Sequence, residues 1–155
     1  MPAPFSIGTP GPGDYPELLR VWEASVRATH SFLPDNYINE LKALMLERYL
    51  DLVMLICIRD GNKRIAGFAG VAVGRVEMLF IDPPYRGRGL GKRLLWYAID
   101  HLNAEALDVN EQNAQAVGFY LCQGFEVVGR SEVDGMGQPY PLLHLRLVAR
   151  PARSA

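Results

Sequence analysis

Between Arg86 and Gly91 the chain reads RGRGLG. Gly87, Gly89 and Gly91 alternate with other residues, and Arg86, Arg88, Lys92 and Arg93 surround them. The apolar run Leu79, Phe80, Ile81 leads in, Pro83 and Pro84 stop it, and a helical apolar pattern follows at once. A helix N-terminus carries N–H groups without intrahelical partners and partial positive charge. Glycines let an anion come close to that backbone. A strand, a glycine turn and a helix start in this order make a phosphate cradle. The competing reading is a tight turn that needs positive φ, with its arginines in solvent.

Two phosphate patterns fail here. In G-x-x-x-x-G-K-[ST], Arg86 stands where the first glycine belongs and Arg93 replaces the Ser/Thr. The dinucleotide fingerprint is G-x-G-x-x-G, whereas the spacing here is G-x-G-x-G, and the hairpin strands upstream do not suit a parallel βαβ unit.

Other residues could move protons. Glu77 alternates with Leu79 and Ile81, which predicts one shared face and a poorly solvated carboxylate with a raised pKa, suited to a general base. The other reading pairs it with Arg75. Tyr120, in GFYLCQGF, is expected on an inward helix face, where its plain reading is a core residue. His30, Phe32 and Trp22 lie on or after the first helix. Cys122 has no His/Asp arrangement around it, and His101 and His144 show no metal-ligand spacing, so neither thiol nucleophile nor metal is expected.

The elements that must position these groups are legible by period. FSIG (5–8) reads as a strand, and a helix runs from an N-cap at Asp14, with Glu17 completing a capping box, to Thr29. Tyr37 to Tyr49 is a second helix, with Ile38, Leu41, Leu44 and Met45 on one face. LVMLICI (52–58), a DGNK turn, RIAGFAGVAV (64–73) and RVEMLFI (75–81) read as three strands, the second closely packed through its small residues. A helix follows over 89–103, a strand over 106–109, and a helix over 111–123 with Asn110 as N-cap and Gly124 as its stop. FEVVGRSEV and YPLLHLRLV close the chain as strands. The 155 residues predict one domain over 1–150 and a frayed tail over 151–155. The net charge of −1 gives no field to recruit nucleic acid or an anionic membrane. Two cysteines argue for a reducing cytoplasm, and neither a signal peptide nor a membrane-spanning run is apparent.

RGRGLG matches the [RQ]-x-x-G-x-[GA] signature of the GNAT superfamily of N-acetyltransferases. LFIDPPYRGRGLGKRLL resembles that family's fourth strand, loop and third helix. VNEQNAQAVGFYLCQGF (109–125) resembles its fifth strand and next helix. The element order over 5–148 agrees. VRATHSFLP and GRSEVDGMGQPYPLLHL are similar to small bacterial members, some of them peptidyl-lysine acetyltransferases. The resemblance implies a mixed, mostly antiparallel twisted α/β (α+β) sheet of about six to seven strands with about four helices. It implies acetyl-CoA as acetyl donor, with its pyrophosphate on the backbone of Arg86, Gly87, Arg88, Gly89, Leu90 and Gly91, and with Lys92 adding charge. The pantetheine arm would lie along Leu79, Phe80 and Ile81, and Asn113 would contact the cofactor. Glu77 is implied as base, Tyr120 as the acid for the leaving thiolate, and His30, Phe32 and Tyr140 as acceptor-side residues. The acceptor is a primary amine, on a protein or a small molecule. An alternative is a non-catalytic acyl-CoA sensor. Monomer and homodimer are left open.

Overall fold

The computed structural model describes residues 4–148; the expected tail at 151–155 lies outside the described residues. The chain forms two units, Met1–Ala104 and Glu105–Ala155.

The first unit holds β1 (Ser6–Gly8), α1 (Tyr15–Thr29), α2 (Asp35–Glu47), β2 (Met54–Arg59), β3 (Ile65–Ala72), β4 (Arg75–Ile81) and α3 (Leu90–Leu102). Its strands pair antiparallel in sequence order. β2 and β3 read as continuous apolar runs because both faces of the sheet are covered. On one face Leu55, Cys57, Phe68 and Met78 pack with Leu18 and Trp22 of α1 and with α2. On the other, Ile56, Ile58 and Ala69 meet Leu90 and Leu94 of α3. Each such large side chain contributes roughly 1.5–3 kcal/mol by leaving water. The small residues of β3 are spacers. A Cβ at Gly67 would lie 2.5 Å from Ile81 Cδ1, and one at Gly70 would lie 2.7 Å from Val53 Cγ2. The β3–β4 hairpin turns on Val73 and Gly74, both at positive φ.

Local signals miss in three places. Asp14 does not cap α1; its Oδ2 accepts from Gly11 N at 2.9 Å and meets Arg59. Glu17, the expected capping-box partner, instead accepts from Ile65 N at 2.9 Å and so ties α1 to β3. β2 starts at Met54, because Tyr49–Leu52 coils into a 3₁₀ turn.

The second unit holds β5 (Ala106–Asn110), α4 (Ala114–Cys122), β6 (Phe125–Ser131) and β7 (Leu142–Leu147). β7 is central and pairs antiparallel with β5 and with β6. Leu107, Val109, Phe125 and Leu145 are buried, while Asp108, Glu126 and Arg146 are exposed. Asn110 is still a strand residue, opposite Leu142, so it cannot cap α4. Asn113 does that, accepting from Ala116 N at 3.3 Å. Gly124, at φ 104, follows the helix end. The seven strands and four α-helices agree with the expected fold class. Among the described residues, no helix is long and apolar enough to cross a membrane, and no group of His, Cys, Asp and Glu could hold a metal ion.

Candidate active site

The glycine loop is fixed at its root and open at its tip. At the end of β4, Asp82 N donates to Ala66 O at 2.8 Å. The Asp82 carboxylate is buried against Arg20 of α1 at 3.2 Å. Pro83–Tyr85 then makes one 3₁₀ turn. The Tyr85 hydroxyl donates to Asp60 Oδ2 at 2.7 Å, which holds the Asp60 carboxyl below its usual range. The Tyr85 ring sits edge-on to Phe5, and Arg88 lies 5.6 Å over it. Arg88 therefore stacks as well as supplying charge.

Beyond that anchor, Gly87 and Gly89 adopt φ of +77 and +75, and a Cβ at either would meet nothing within 4 Å. Both reasons for glycine hold here: the backbone needs left-handed φ, and its surface stays bare. The first bond at the start of α3 runs from Arg93 N to Gly89 O at 3.1 Å. The N–H groups of Leu90, Gly91 and Lys92 thus stand at the open helix end. Leu90 anchors that end by burying its side chain in the core. Arg86, Arg88, Lys92 and Arg93 are exposed.

Strand β4 departs from the expected alternation. Met78 pairs with Gly70, but Val76 pairs with Val71, so Glu77 is an extra residue in a β-bulge. The bulge breaks the period of two. Leu79 and Ile81 join the α3 side, whereas Glu77, Met78 and Phe80 line a cavity on the α1–α2 side. The predicted shared face of Glu77, Leu79 and Ile81 is therefore wrong. So is the predicted loss of water: the Glu77 side chain is 46% exposed, with Arg75 Nε at 3.7 Å.

The cavity has a volume of about 500 Å³. Trp22, Leu41, Met45, Tyr49 and Val53 form much of its wall. Among the described residues that line it, Glu77 is the only charged one. Trp22 and Phe80 meet edge-to-face at 6.5 Å. The contributions of α2 and the 3₁₀ turn are not encoded in a local motif. Their one signal was an apolar surplus in YLDLVM beyond the helix face. His30 and Phe32 stack on each other at 5.4 Å and do not line this cavity. Burial lowers the His30 imidazole to about 4, so the ring is neutral at pH 7.

The remaining expected residues belong to the second unit. Tyr120 is buried, with the rings of Phe119 at 5.2 Å and Phe125 at 5.9 Å, and burial pushes its phenol well above the ordinary value. The Asn113 carbonyl oxygen serves the α4 cap. Tyr140 follows a tight turn in which Asp134 Oδ1 accepts from the N–H groups of Met136 and Gln138.

The GNAT acetyltransferase domain model matches residues 28–138. The chain belongs to the GNAT acetyltransferase family. It is 43% identical over 129 residues to the peptidyl-lysine N-acetyltransferase YjaB of Salmonella typhimurium, covering 83% of this chain and 88% of that protein. The solution structure of apo YjaB from Escherichia coli superposes with a TM-score of 0.84 at 42% identity, over 94% of this chain and 98% of the other. A PaiA N-acetyltransferase of Thermoplasma acidophilum, solved with coenzyme A, shares the fold at TM-score 0.73 and 18% identity, over 94% of this chain and 99% of that one. The reaction class is acetyl-CoA-dependent N-acetyl transfer to an amine, and acetyl-CoA is the donor. The bare, left-handed glycines and the open start of α3 fit its pyrophosphate.

Proposed function

We propose that this protein transfers acetyl from acetyl-CoA to the ε-amine of peptidyl lysine. The observation that carries this reading is the apolar cavity in which Glu77 is the only charged residue among the described lining residues, in the same unit as the glycine cradle. An unbranched methylene stem suits the apolar wall, and a carboxylate suits the ammonium at its end. The names of the YjaB relatives support the same acceptor class.

Coenzyme A presents the acetyl group as a thioester, and the protein supplies position and proton handling. The backbone from Arg86 to Gly91 holds the pyrophosphate, and Arg86, Arg88 and Lys92 add screened charge. Leu79, Phe80 and Ile81 offer backbone to the pantetheine arm, and Asn113 is a further contact. A lysine amine has a pKa of about 10.4 and must lose a proton before attack. Glu77 accepts that proton through water, because its exposure keeps solvent in reach. Tyr120 serves the leaving sulfur. Its phenol is harder to ionise than a thiol of pKa near 8.5, so it stays protonated and stabilises the thiolate by hydrogen bonding. Phe32 and His30, after α1, and Tyr140, after its turn, shape the acceptor side; a neutral His30 leaves the approaching ammonium unopposed.

The test is an acetyl-CoA assay against lysine peptides, free amino acids, polyamines and amino sugars, read by thiol release and product mass. Acetylation of lysine peptides above the small amines supports the reading. Turnover confined to small amines reassigns the acceptor.

A further inference from the structure

Three side chains of the second unit have no role in the reaction proposed above. His144 Nδ1 lies 2.6 Å from Asp108 Oδ1, and its Nε2 lies 2.7 Å from Ser131 Oγ. Each comes from a different strand: Asp108 from β5, His144 from β7, Ser131 from β6. Asp108 sits directly opposite His144, so those two share a face. Ser131 reaches that face only through an irregularity. β6 pairs Glu126 with Arg146 and Val127 with Leu145, then Gly129 with His144 and Ser131 with Leu142. Val128 is the extra residue. Before it, even-numbered residues of β6 share the face of His144; after it, odd-numbered ones do. Without the bulge Ser131 would point to the opposite face, that of Leu145. Gly129 completes the fit, since a Cβ there would lie 3.3 Å from His144 Cδ2. The imidazole lies over this glycine and spans from carboxylate to hydroxyl.

The order of roles is specific. A carboxylate only accepts, so Nδ1 carries the hydrogen towards Asp108. In the neutral imidazole Nε2 is then the acceptor, and the Ser131 hydroxyl donates to it. A carboxylate that orients, an imidazole that takes a proton and a hydroxyl that attacks form a triad, recognised by geometry whatever the fold. The side chains of His144 and Asp108 are 33% and 35% exposed, so a small acyl donor can reach them.

We propose that Ser131 is an activated nucleophile that accepts an acyl group from an ester or thioester, with His144 as base and Asp108 orienting the ring. Ser131 Oγ bonds to the acyl carbon as its proton passes to His144 Nε2. The C–O or C–S bond of the donor breaks, and the electron pair leaves on oxygen or sulfur. His144 returns the proton to that leaving group. The product is an O-acyl serine, and nothing is oxidised or reduced.

The experiment labels the full chain with a fluorophosphonate and, separately, with p-nitrophenyl acetate. Peptide mass spectrometry locates the adduct, and circular dichroism confirms the fold of each variant. The expected result is modification at Ser131, abolished in Ser131→Ala and slowed about 100-fold or more in His144→Gln. Asp108→Asn, at a partly exposed position, gives a second comparison and should also slow labelling. An unmodified Ser131 in the parent protein overturns the proposal. So does an unchanged labelling rate in His144→Gln or Asp108→Asn.

Discussion

Arg20 Nη1 of α1 lies 3.2 Å from Asp82 Oδ2 at the root of the glycine loop, with the carboxylate side chain 4% exposed and the arginine 41% exposed. The helix that walls the cavity therefore also holds the base of the cofactor cradle. Arg20→Met leaves that buried carboxylate without its cation. The half-wet arginine keeps the expected loss near the range for an unsatisfied polar group, about 1–3 kcal/mol in urea unfolding, below that of a fully buried pair. Acetyl-CoA should also bind more weakly, because the loop loses an anchor. An unchanged midpoint with an unchanged Kd would show that the pair positions nothing.

Gly89→Val tests the cradle itself. The residue sits at φ +75 with open space beside it. A β-branched residue there costs about 1–2 kcal/mol in backbone strain and covers the surface an anion needs. Calorimetry should show acetyl-CoA binding at least tenfold weaker, by about 1.4 kcal/mol. Lys92→Ala should change affinity less, and more at low salt than at high salt. Equal affinity for Gly89→Val and the parent protein would move the pyrophosphate elsewhere.

Glu77→Gln keeps the shape of the bulge and removes the proton acceptor. The expected loss is about 100-fold in kcat/KM with the acetyl-CoA Kd unchanged. Tyr120→Phe removes one hydroxyl from a buried ring and should lower kcat more than cofactor affinity. Either variant turning over normally with a lysine peptide would take that residue out of its proposed role.

His30 links stability to pH. Its folded value of about 4 lies below an ordinary histidine value of 6.5. As pH falls the unfolded chain takes up this proton first, so protons favour unfolding. Stability from this group is whole above pH 6.5 and drops as pH falls from there to about 4. The loss is at most about 3 kcal/mol, less whatever water reaches the half-buried ring. His30→Phe should keep the stack on Phe32 and flatten this limb of the stability profile. An identical acid limb in the variant would assign the loss to other groups.

The glycine loop was legible because its signal is local: glycine spacing, a strand stop at Pro83 and Pro84, and a helical period straight after. The order of elements along the chain and the close packing of the small β3 residues follow from the same kind of pattern. The two bulges were not legible. Glu77 and Val128 become extra residues only through pairing with β3 and β7, and nothing beside them in sequence encodes that register. Hence simple alternation puts Glu77 on the wrong face and keeps Ser131 away from His144. The α4 start is hidden for a related reason. Asn110 and Asn113 are equally good caps by type, and the pairing of Asn110 with Leu142 decides between them. The cavity wall from α2 and the 3₁₀ turn depends on packing between distant segments, so an amphipathic face alone did not separate lining from core.

The most direct measurement is acetyl transfer to a lysine peptide, followed by thiol release and by the mass and site of the product. One thiol should be released for each ε-acetyl-lysine formed, with kcat/KM lowered in both Gly89→Val and Glu77→Gln. Firm binding of acetyl-CoA with no acetylated lysine in any peptide, under conditions where the parent fold is intact, would contradict it.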